Sequence, residues 1–420
     1  MILSPLSRLF RRLSIPLPNV SSPTSLLTPL VLHLTAAVQR LDLSTDPRKS
    51  LHKLSQVQWT PASALPYAFM AACALFSLFM MQVSIVFKLF LAGTYAAAIL
   101  LPITSQFVLP ATPIFAWLIT FFSARFIPSA HRPGIHVALL PALESVLYGA
   151  NISDLLTRFT NPVLDVVAWV PYGVLHYILP FVVAAVLWVF GPKHAVQYWG
   201  NAFGWMNLFG VLTQILFPCA APWYEIIHGL TPADYAMAGS PGGLMRIDRV
   251  FHSSGYTNAF GNSPLVFGAF PSLHSGCAVM EALFLSHFFP KGKYVYWIYT
   301  GILWWATMYL SHHYLIDLTA GACFSVCVFY FTMPEKFKDT DAIVWGRNAG
   351  GQYEMVNGDG EHAAELDLDE EIRKLEDEGE GSGDIGEDVE EDEDVEAQQR
   401  AKKGRSVSWG ETKVLGEESR

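Results

Sequence analysis

Long apolar stretches, separated by short polar or proline-containing breaks, occupy most of the chain between residues 61 and 334. A helix needs about 20 mostly apolar residues to cross the hydrocarbon core of a bilayer. By this criterion the pattern predicts membrane spans at 66–87, 89–107, 109–126, 166–190, 202–221, 271–289, 294–312 and 315–333. Pro102 and Pro110 interrupt the second and third of these, so we expect six to eight crossings, with an even number favoured. The sequence therefore predicts an all-α polytopic membrane protein.

Polar residues divide the chain into three regions. Residues 1–60 carry seven basic and two acidic residues, and arginines interrupt their apolar stretch, which predicts an uncleaved cytosolic lead, flexible or partly amphipathic. Residues 61–334 form the predicted transmembrane domain, with a long loop at 222–270. Residues 335–420 have no apolar run and hold 27 acidic against 11 basic residues. Such a segment repels itself and cannot bury a core, so we expect a disordered acidic tail.

Charge supports the same division. Only 15% of the residues are charged and 52% are hydrophobic, whereas soluble domains carry about 25% charged residues. The net charge of −10 combines −16 in residues 335–420 with +6 in the rest of the chain. A mildly basic membrane body with an acidic tail predicts the bilayer and its lipids as partners, and no nucleic acid.

Basic residues near the spans predict the orientation, because cytosolic loops of membrane proteins are enriched in Lys and Arg. The lead, the hinge at Pro290 with two lysines and the exit at Pro334 with two more therefore belong to the cytosolic side. With eight spans, both termini are then cytosolic. The stretches 127–165 and 222–270 fall on the lumenal side.

Arg125 and Arg132 do not follow this rule, since they would lie at the lumenal face. Either the topology is wrong at this point, or these arginines are held there for a chemical reason. Both alternatives remain open at this stage.

Two segments carry candidate chemistry: FPSLHSG at 270–276 and SHHYLID at 311–317. One predicted crossing leads from His274 to the lysine hinge, and the next leads back to His313. Because the two helices have nearly equal length, both histidines are expected at the same, lumenal membrane face. A metal is not required by this pattern, since the body of the protein has no carboxylate cluster.

The spacing of His313 and Asp317 places both on one helix face. The carboxylate can then hold one ring nitrogen and leave the other as a nucleophile. His274 follows Pro271 and Ser272 at a helix start, where backbone N–H groups favour an anion and the ring could deliver a proton. A lone His near an interface is more often an interfacial polar residue, but two histidines with an aspartate favour catalysis. We interpret His312 as structural or substrate-facing.

These motifs resemble the second and third signatures of the type 2 phosphatidic acid phosphatase superfamily, P-S-G-H and S-R-x5-H-x3-D. The resemblance implies a helical core typical of that superfamily and a phosphohistidine intermediate. It makes His313 the nucleophile, Asp317 its orienting partner and His274 the acid and base. The chain departs from the pattern at Ala306 and Thr307, which replace Ser-Arg, and at Leu273, which replaces Gly.

The first signature, K-x6-R-P, is similar to Arg125-x6-Arg132-Pro133 with Arg in place of Lys. A guanidinium pair can clamp a phosphate, although plain interfacial anchoring explains the same residues. Because the third signature lacks its arginine, another phosphate ligand is needed. The lumenal loop offers Arg246 and Arg249 after a glycine-rich turn, as phosphate or inositol ligands or as partners of Asp248 in a loop salt bridge.

A narrower resemblance covers roughly residues 60–335. The stretches LESVLYGANISDLL, FPCAAPWYE, GSPGGLMRIDRVF, FGAFPSLHSG and SHHYLID are similar to those of fungal inositol phosphorylceramide synthases. The resemblance implies transfer of phosphoinositol from phosphatidylinositol to ceramide, in sphingolipid biosynthesis and without a cofactor. It also implies a multi-pass Golgi membrane protein with a lumenal site and a small regulatory membrane subunit as partner.

Two other functions remain open from the sequence. A lipid phosphate phosphatase of the same superfamily would use water as the acceptor, and the missing Ser-Arg argues against it. A polytopic transporter would line a proton path with the histidines. Transporters often contain inverted repeats and charges deep within spans, and the sequence pattern indicates neither.

Overall fold

The computed structural model describes residues 27–338, 344–347 and 353–356, and helices dominate them. In chain order the helices are α1 (Leu27–Gln39), α2 (Pro47–Ser55), α3 (Pro61–Met80), α4 (Ile85–Leu100), α5 (Pro102–Val108), α6 (Thr112–Ser123), α7 (Leu139–Tyr148), α8 (Ile152–Thr157), α9 (Pro162–Trp169), α10 (His176–Phe190), α11 (Ala195–Leu216), α12 (Pro222–His228), α13 (Leu244–Val250), α14 (Gly255–Gly261), α15 (Leu273–Phe288), α16 (Lys293–Tyr309) and α17 (Leu315–Thr332). A π-helical segment, Val170–Leu175, joins α9 to α10. The helical membrane fold that the pattern predicts is confirmed.

Three helices in the described part of the chain are long and apolar enough to cross a membrane: Pro61–Met80, Pro162–Phe190 and Leu315–Thr332. Helices α4 and α5 make a fourth if they form one span, and they meet at an angle of 106°. Pro102 is the first residue of α5, so this proline interrupts the predicted span 89–107 as expected.

Helices α11, α15 and α16 occupy three other predicted spans but do not meet the same criterion. Helix α11 has 22 residues and carries amides, whereas α15 and α16 have 16 and 17 residues. Helices α11 and α15 are largely buried in the bundle, where α15 packs against α16 and α17 and α11 packs against α6 and α17. Helix α16 instead exposes Tyr294, Val295 and Ile298 on one side. An interior helix need not present apolar surface to lipid, so the total of six to eight crossings stays a prediction.

Aromatic side chains fill the core between α11, α15 and α17. The cluster includes Tyr198, Trp199, Phe284 and Phe329, all buried. Tyr198 also donates its hydroxyl to the carbonyl of Phe329 at 2.5 Å. Buried aromatic rings contribute large apolar areas, and this cluster fixes the three helices that carry or surround the candidate site.

Small residues allow α15 and α17 to approach closely. Ser325 of α17 donates to the carbonyl of Gly276 at 2.5 Å, and Ser275 of α15 donates to the carbonyl of Leu318 at 2.6 Å. Gly321 faces the carbonyl of Ser272, and a Cβ at this position would overlap with that oxygen. Small residues and interhelical hydrogen bonds of this kind are typical of membrane helix packing.

Replacing Gly321 with alanine is expected to lower the free energy of unfolding by about 1–3 kcal/mol, because the obstructing atom is backbone and cannot rotate away. The thermal midpoint of the detergent-solubilised protein would measure this loss. Gly301→Ala in α16 is the matched control, since a Cβ there meets no atom within 4 Å. Equal midpoints for the two variants would contradict the packing argument.

The two ends of the chain are described in part. Helix α1 packs against α10, and the Arg40 guanidinium donates to the carbonyls of Trp188 at 3.1 Å and Gly191 at 3.4 Å. This part of the predicted lead is therefore helical, and its Arg40 caps the C-terminal end of α10. Nearly all described residues belong to a unit that ends at Met355, and two short strands, Val344–Arg347 and Tyr353–Val356, pair after the last helix. Apart from these two strands, the predicted disordered tail lies outside the described residues after residue 338.

Candidate active site

His313 and Asp317 form the first half of the site at the start of α17. His313 Nδ1 lies 3.1 Å from Asp317 Oδ1, and both side chains are buried. The second oxygen, Asp317 Oδ2, accepts the backbone N–H of Tyr314 at 3.1 Å, so the carboxylate also caps the helix. With Nδ1–H donating to this carboxylate, the lone pair of His313 lies on Nε2.

His274 completes the site from the start of α15. Ser272 is the N-cap residue, and its hydroxyl oxygen accepts the backbone N–H of Ser275 at 3.3 Å. The cap places His274 in the first turn, where its Nδ1 lies 2.9 Å from His313 Nε2. In the tautomer that Asp317 favours, His274 Nδ1 donates this hydrogen bond. The predicted meeting of the two rings at one end of the hairpin is confirmed, while their catalytic roles stay a prediction.

Backbone hydrogen bonds join the two motifs directly. The N–H of Ser272 donates to the carbonyl of Asp317 at 3.0 Å. The segment before Ser272 is held in turn by Cys219, whose N–H donates to the carbonyl of Phe267 at 2.8 Å and whose carbonyl accepts from Ala269 at 3.3 Å. The predicted lumenal loop thus fixes the position from which α15 begins.

A cavity of about 820 Å³ opens from the histidines. His274, His312 and His313 line one end of it, and the remaining wall is mostly apolar. Along α11 the lining residues run from Gln214 to Val196, which at 1.5 Å per residue covers about 27 Å. The volume is within the range of small-molecule sites, and the length approaches the thickness of a bilayer core. A site of this shape suits a polar head at the histidines and a long apolar chain below it.

Two further rings pack against His274 and were not expected from the sequence. The ring centroids of Tyr172 and His176 lie 4.7 and 4.6 Å from that of His274, and both residues line the cavity. Tyr172 belongs to the π-helical segment and His176 follows it directly. The sequence does contain a signal for this part of the site. His176 is an ionisable residue inside an apolar span, near Pro171 and Gly173, and such residues mark functional sites by default.

His312 takes a different partner from His313. Its Nε2 lies 2.9 Å from the carbonyl oxygen of Pro241 in the glycine-rich loop, and its ring stacks on Tyr172 with centroids 5.2 Å apart. This contact agrees with the structural or substrate-facing role expected for His312.

Sequence comparisons relate the chain to known proteins. A family model described as the PAP2 superfamily matches residues 138–331. The inositol phosphorylceramide synthase of Candida albicans is 48% identical over 297 residues, which are 71% of this chain and 63% of that protein. The catalytic subunit of the Schizosaccharomyces pombe inositol phosphorylceramide synthase is 46% identical over 76% of this chain and 75% of that protein. The catalytic subunit of the Saccharomyces cerevisiae enzyme is 43% identical over 77% of this chain and 81% of that protein.

The chain belongs to the inositol phosphorylceramide synthase family. The comparison with solved structures found no match. The PAP2 superfamily match at residues 138–331 covers the helices that hold all three candidate catalytic residues.

The departures from the superfamily signatures have structural counterparts. Thr307, at the position of the missing arginine, is buried, and its hydroxyl donates to the carbonyl of Trp304 at 2.8 Å. Leu273, in place of glycine, lines the cavity next to His274. The arginine of the third signature therefore has no counterpart at this position.

The structure does not bring Arg125 and Arg132 to the histidines. The Arg132 guanidinium donates to the carbonyls of Ile127, Ala124 and Arg125 at 2.8, 3.0 and 3.1 Å, which caps the end of α6. Arg125 is exposed and lies over the ring of Phe122 at 4.8 Å. Neither residue lines the large cavity. This arrangement favours the anchoring alternative over the predicted phosphate clamp.

Arg246 and Arg249 differ in their surroundings. Arg246 Nε donates to Asp165 at 2.8 Å, its guanidinium lies 5.5 Å from the Tyr309 ring centroid, and its buried Nη2 has no hydrogen-bond partner. Gly243 lies directly beside this Nη2. Arg249 is exposed. None of the four predicted arginines lines the large cavity, but the loop that carries Arg246 reaches it through Gly239 and Ser240. Together with its unpaired Nη2, this makes Arg246 the best candidate of the four for a ligand-binding group.

The predicted alternative, a salt bridge from these arginines to Asp248, is wrong. Asp248 instead accepts hydrogen bonds from Ser253 Oγ and Tyr256 N at 2.9 and 3.1 Å, and from Thr257 N and Oγ1 at 2.8 Å each. Burial acts to raise the pKa of Asp248, but these hydrogen bonds outweigh it and hold the pKa below its ordinary value. Asp248 thus fixes the turn between α13 and α14.

Proposed function

We propose that this protein transfers phosphoinositol from phosphatidylinositol to the primary hydroxyl of ceramide and releases diacylglycerol. The proposal is supported by membership of the inositol phosphorylceramide synthase family. The observation that carries it is the orientation of His313, whose Nδ1 is held by Asp317 and whose Nε2 points to His274 at the head of a long apolar cavity. Sphingolipid biosynthesis is the metabolic setting that this reaction implies.

In the first half-reaction, His313 Nε2 attacks the phosphorus of phosphatidylinositol. The N–P bond forms as the bond to the diacylglycerol oxygen breaks. His274, which enters this step as the imidazolium, protonates that oxygen and becomes neutral. The hydrogen bond between His274 and His313 must be exchanged for the phosphoryl group at this step, because one lone pair cannot serve both. Asp317 stabilises the positive charge that develops on the His313 ring.

In the second half-reaction, ceramide occupies the acceptor position. His274, now neutral, takes the proton of the primary hydroxyl as its oxygen attacks the phosphorus. The N–P bond breaks and His313 returns to its starting tautomer. The products are inositol phosphorylceramide and the regenerated site, so atoms and protons balance without a metal or cofactor.

Transfer instead of hydrolysis requires that ceramide reach the phosphohistidine before water does. The apolar wall below the histidines supports this requirement, since it favours a lipid acceptor over bulk water. The phosphatase alternative, whose acceptor is water, gains nothing from an apolar wall. A transporter would not need His313 Nδ1 to be held by a carboxylate. Neither alternative is favoured by the names of the relatives.

The direct test is reconstitution of the purified protein in vesicles with head-group-labelled phosphatidylinositol and ceramide. Labelled inositol phosphorylceramide in equal amount to diacylglycerol is expected. Release of free phosphate from phosphatidic acid by the same preparation, with no labelled ceramide product, would instead assign the phosphatase function.

Arg246 is the arginine that we propose for charge compensation at the phosphoryl group or inositol. Arg246→Ala is expected to lower kcat/KM for phosphatidylinositol by about 10–100-fold, and Arg246→Lys to restore little because the planar guanidinium is lost. Arg249→Ala, three residues further along α13, is the matched comparison and is expected to have a much smaller effect.

Loss of Arg246 also leaves Asp165 buried without its cation, which destabilises the fold by itself. The double variant Arg246→Gln, Asp165→Asn removes both charges. Recovery of the thermal midpoint without recovery of kcat/KM supports a role in the reaction. Recovery of both would show that the pair is structural.

Location, orientation and partners are proposed from family resemblance and charge. We propose a Golgi membrane location, a lumenal active site, cytosolic termini and a small regulatory membrane subunit. Cysteines introduced at the exposed positions Ser253 and Lys291 test the orientation. A membrane-impermeant thiol reagent added to sealed vesicles should reach the two positions from opposite sides. Labelling of both from the same side would contradict it.

A further inference from the structure

A segment outside the cavity supports the turn that carries His313. Ser153 at the start of α8 donates its hydroxyl to the backbone carbonyl of His313 at 2.6 Å. Asn151, two residues earlier, donates to Glu225 at 3.0 Å, and the same carboxylate oxygen accepts from the Tyr314 hydroxyl at 2.9 Å. The turn between α7 and α8 is therefore bonded to both residues that precede the helix with Asp317.

Glu144 lies at the centre of this support. Its side chain is fully buried, and Oε1 accepts the backbone N–H of Ile152 at 3.0 Å, next to Ser153. Its other oxygen, Oε2, is buried with no hydrogen bond of good geometry, although the N–H groups of Leu315 and Ser153 face the carboxyl. A buried carboxyl with an unpaired oxygen is costly, so its retention at this place needs an explanation in the site that it adjoins.

The groups that face Glu144 belong to the catalytic turn. Helix α7 packs against α17, whose first turn presents Asp317 and the N–H of Leu315 to this carboxyl. Tyr314 also faces it, with Glu225 on the far side of the Tyr314 hydroxyl. Glu144 forms no ion pair with any residue in the described part of the chain.

We propose that Glu144 is a positioning residue for the nucleophile, which holds the His313 turn through Ile152 and Ser153 and adds a second negative charge behind Asp317. The added charge raises the electron density on the His313 ring and stabilises the imidazolium-like phosphohistidine. Glu144 does not touch the substrate, because it lies outside the lining of the cavity. This role rests on the function proposed above.

Glu144 would change charge within the working pH range of an enzyme. Burial raises the pKa of Glu144 to about 7, and the charge of Asp317 acts in the same direction. The N–H groups of Leu315 and Ile152 act against this rise. Because the charged form is the supporting one, the contribution of Glu144 is present above pH 7 and is lost as the pH falls through 7.

Glu144→Gln tests this, since glutamine keeps the shape and the acceptor but removes the charge. At pH 8 the variant is expected to have kcat lowered by about 10-fold with KM little changed. At pH 5.5 its kcat should equal that of the wild type, because Glu144 of the wild type is then protonated and carries no charge, as the glutamine does at every pH. Asp154→Asn, an exposed carboxylate in the next helix, is the matched control and should follow the wild type at every pH.

A ratio of wild-type to Glu144→Gln activity that is the same at all pH values would overturn the charge role. Unchanged kcat of Glu144→Gln at pH 8 would also overturn the charge role, and unchanged kcat of Ser153→Ala would overturn the positioning role. If the glutamine variant does not fold, Ser153→Ala is the second variant: it removes the hydrogen bond to His313 and should lower kcat by a constant factor across pH. If the wild type does not make the ceramide product, the proposed function is wrong. This result differs from a change in Glu144→Gln alone, so failure of the proposed function and failure of the Glu144 proposal are distinguishable.

Discussion

His313→Ala is expected to reduce formation of inositol phosphorylceramide by about 10,000-fold or more, because this residue would form the bond to phosphorus in the first half-reaction and release it in the second. The alanine variant keeps the backbone that Ser153 contacts, since Ser153 bonds to the carbonyl of residue 313. Turnover of labelled phosphatidylinositol in vesicles measures the loss.

His52→Ala is the control for this experiment, because His52 is an exposed residue of α2 on the predicted cytosolic side. Its activity should match that of the wild type. If the His313 variant folds with a normal thermal midpoint and retains more than a few per cent of the activity, His313 is not the nucleophile.

Asp317→Asn is expected to lower kcat by about 10,000-fold while leaving the structure close to native, as occurs when an orienting carboxylate becomes an amide. In one amide orientation, the NH₂ group faces His313 Nδ1 and forces the proton onto Nε2, which removes the lone pair. In the other, the NH₂ group faces the Tyr314 N–H and loses the helix cap. Neither orientation satisfies both contacts.

The control for Asp317→Asn is Glu335→Gln, which neutralises an exposed carboxylate after the last helix. Activity and thermal midpoint are measured together for both variants. Near-normal kcat in Asp317→Asn would show that the tautomer of His313 is fixed by some other group.

Much of the site followed from spacing. The spacing of four residues correctly predicted the hydrogen bond between His313 and Asp317. However, His313 lies just before α17 and reaches the carboxylate in its first turn across the extended N-cap residue Tyr314. The approach of His274 followed from two helices of 16 and 17 residues joined by a short turn. Sequence spacing and two helices of similar length joined by a short turn are sufficient to bring His274, His313 and Asp317 together.

The roles of the arginines did not follow, because they depend on contacts between distant segments. A spacing of Arg-x6-Arg-Pro is the same whether the guanidinium faces a phosphate or caps a helix, and Arg132 bonds to three carbonyls of its own segment. Arg246 pairs with Asp165, 81 residues earlier, instead of the nearby Asp248. Nothing in the local pattern distinguishes these partners.

His176 and Glu144 were missed for a related reason. His176 lies within an apolar run, and its position beside His274 depends on the π-helical segment before it. Glu144 lies 173 residues before Asp317, and only the packing of α7 on α17 brings it to the catalytic turn. Long-range packing, not residue type, assigns both to the site.

The central claim is that phosphorus becomes bonded to His313. Incubating the protein with phosphatidylinositol labelled at phosphorus, without ceramide, should leave an acid-labile, alkali-stable label on residue 313, and added ceramide should move that label into inositol phosphorylceramide. The account is contradicted if product forms at the normal rate while no label is ever found on the protein. It is equally contradicted if the label persists when His313 is replaced by alanine.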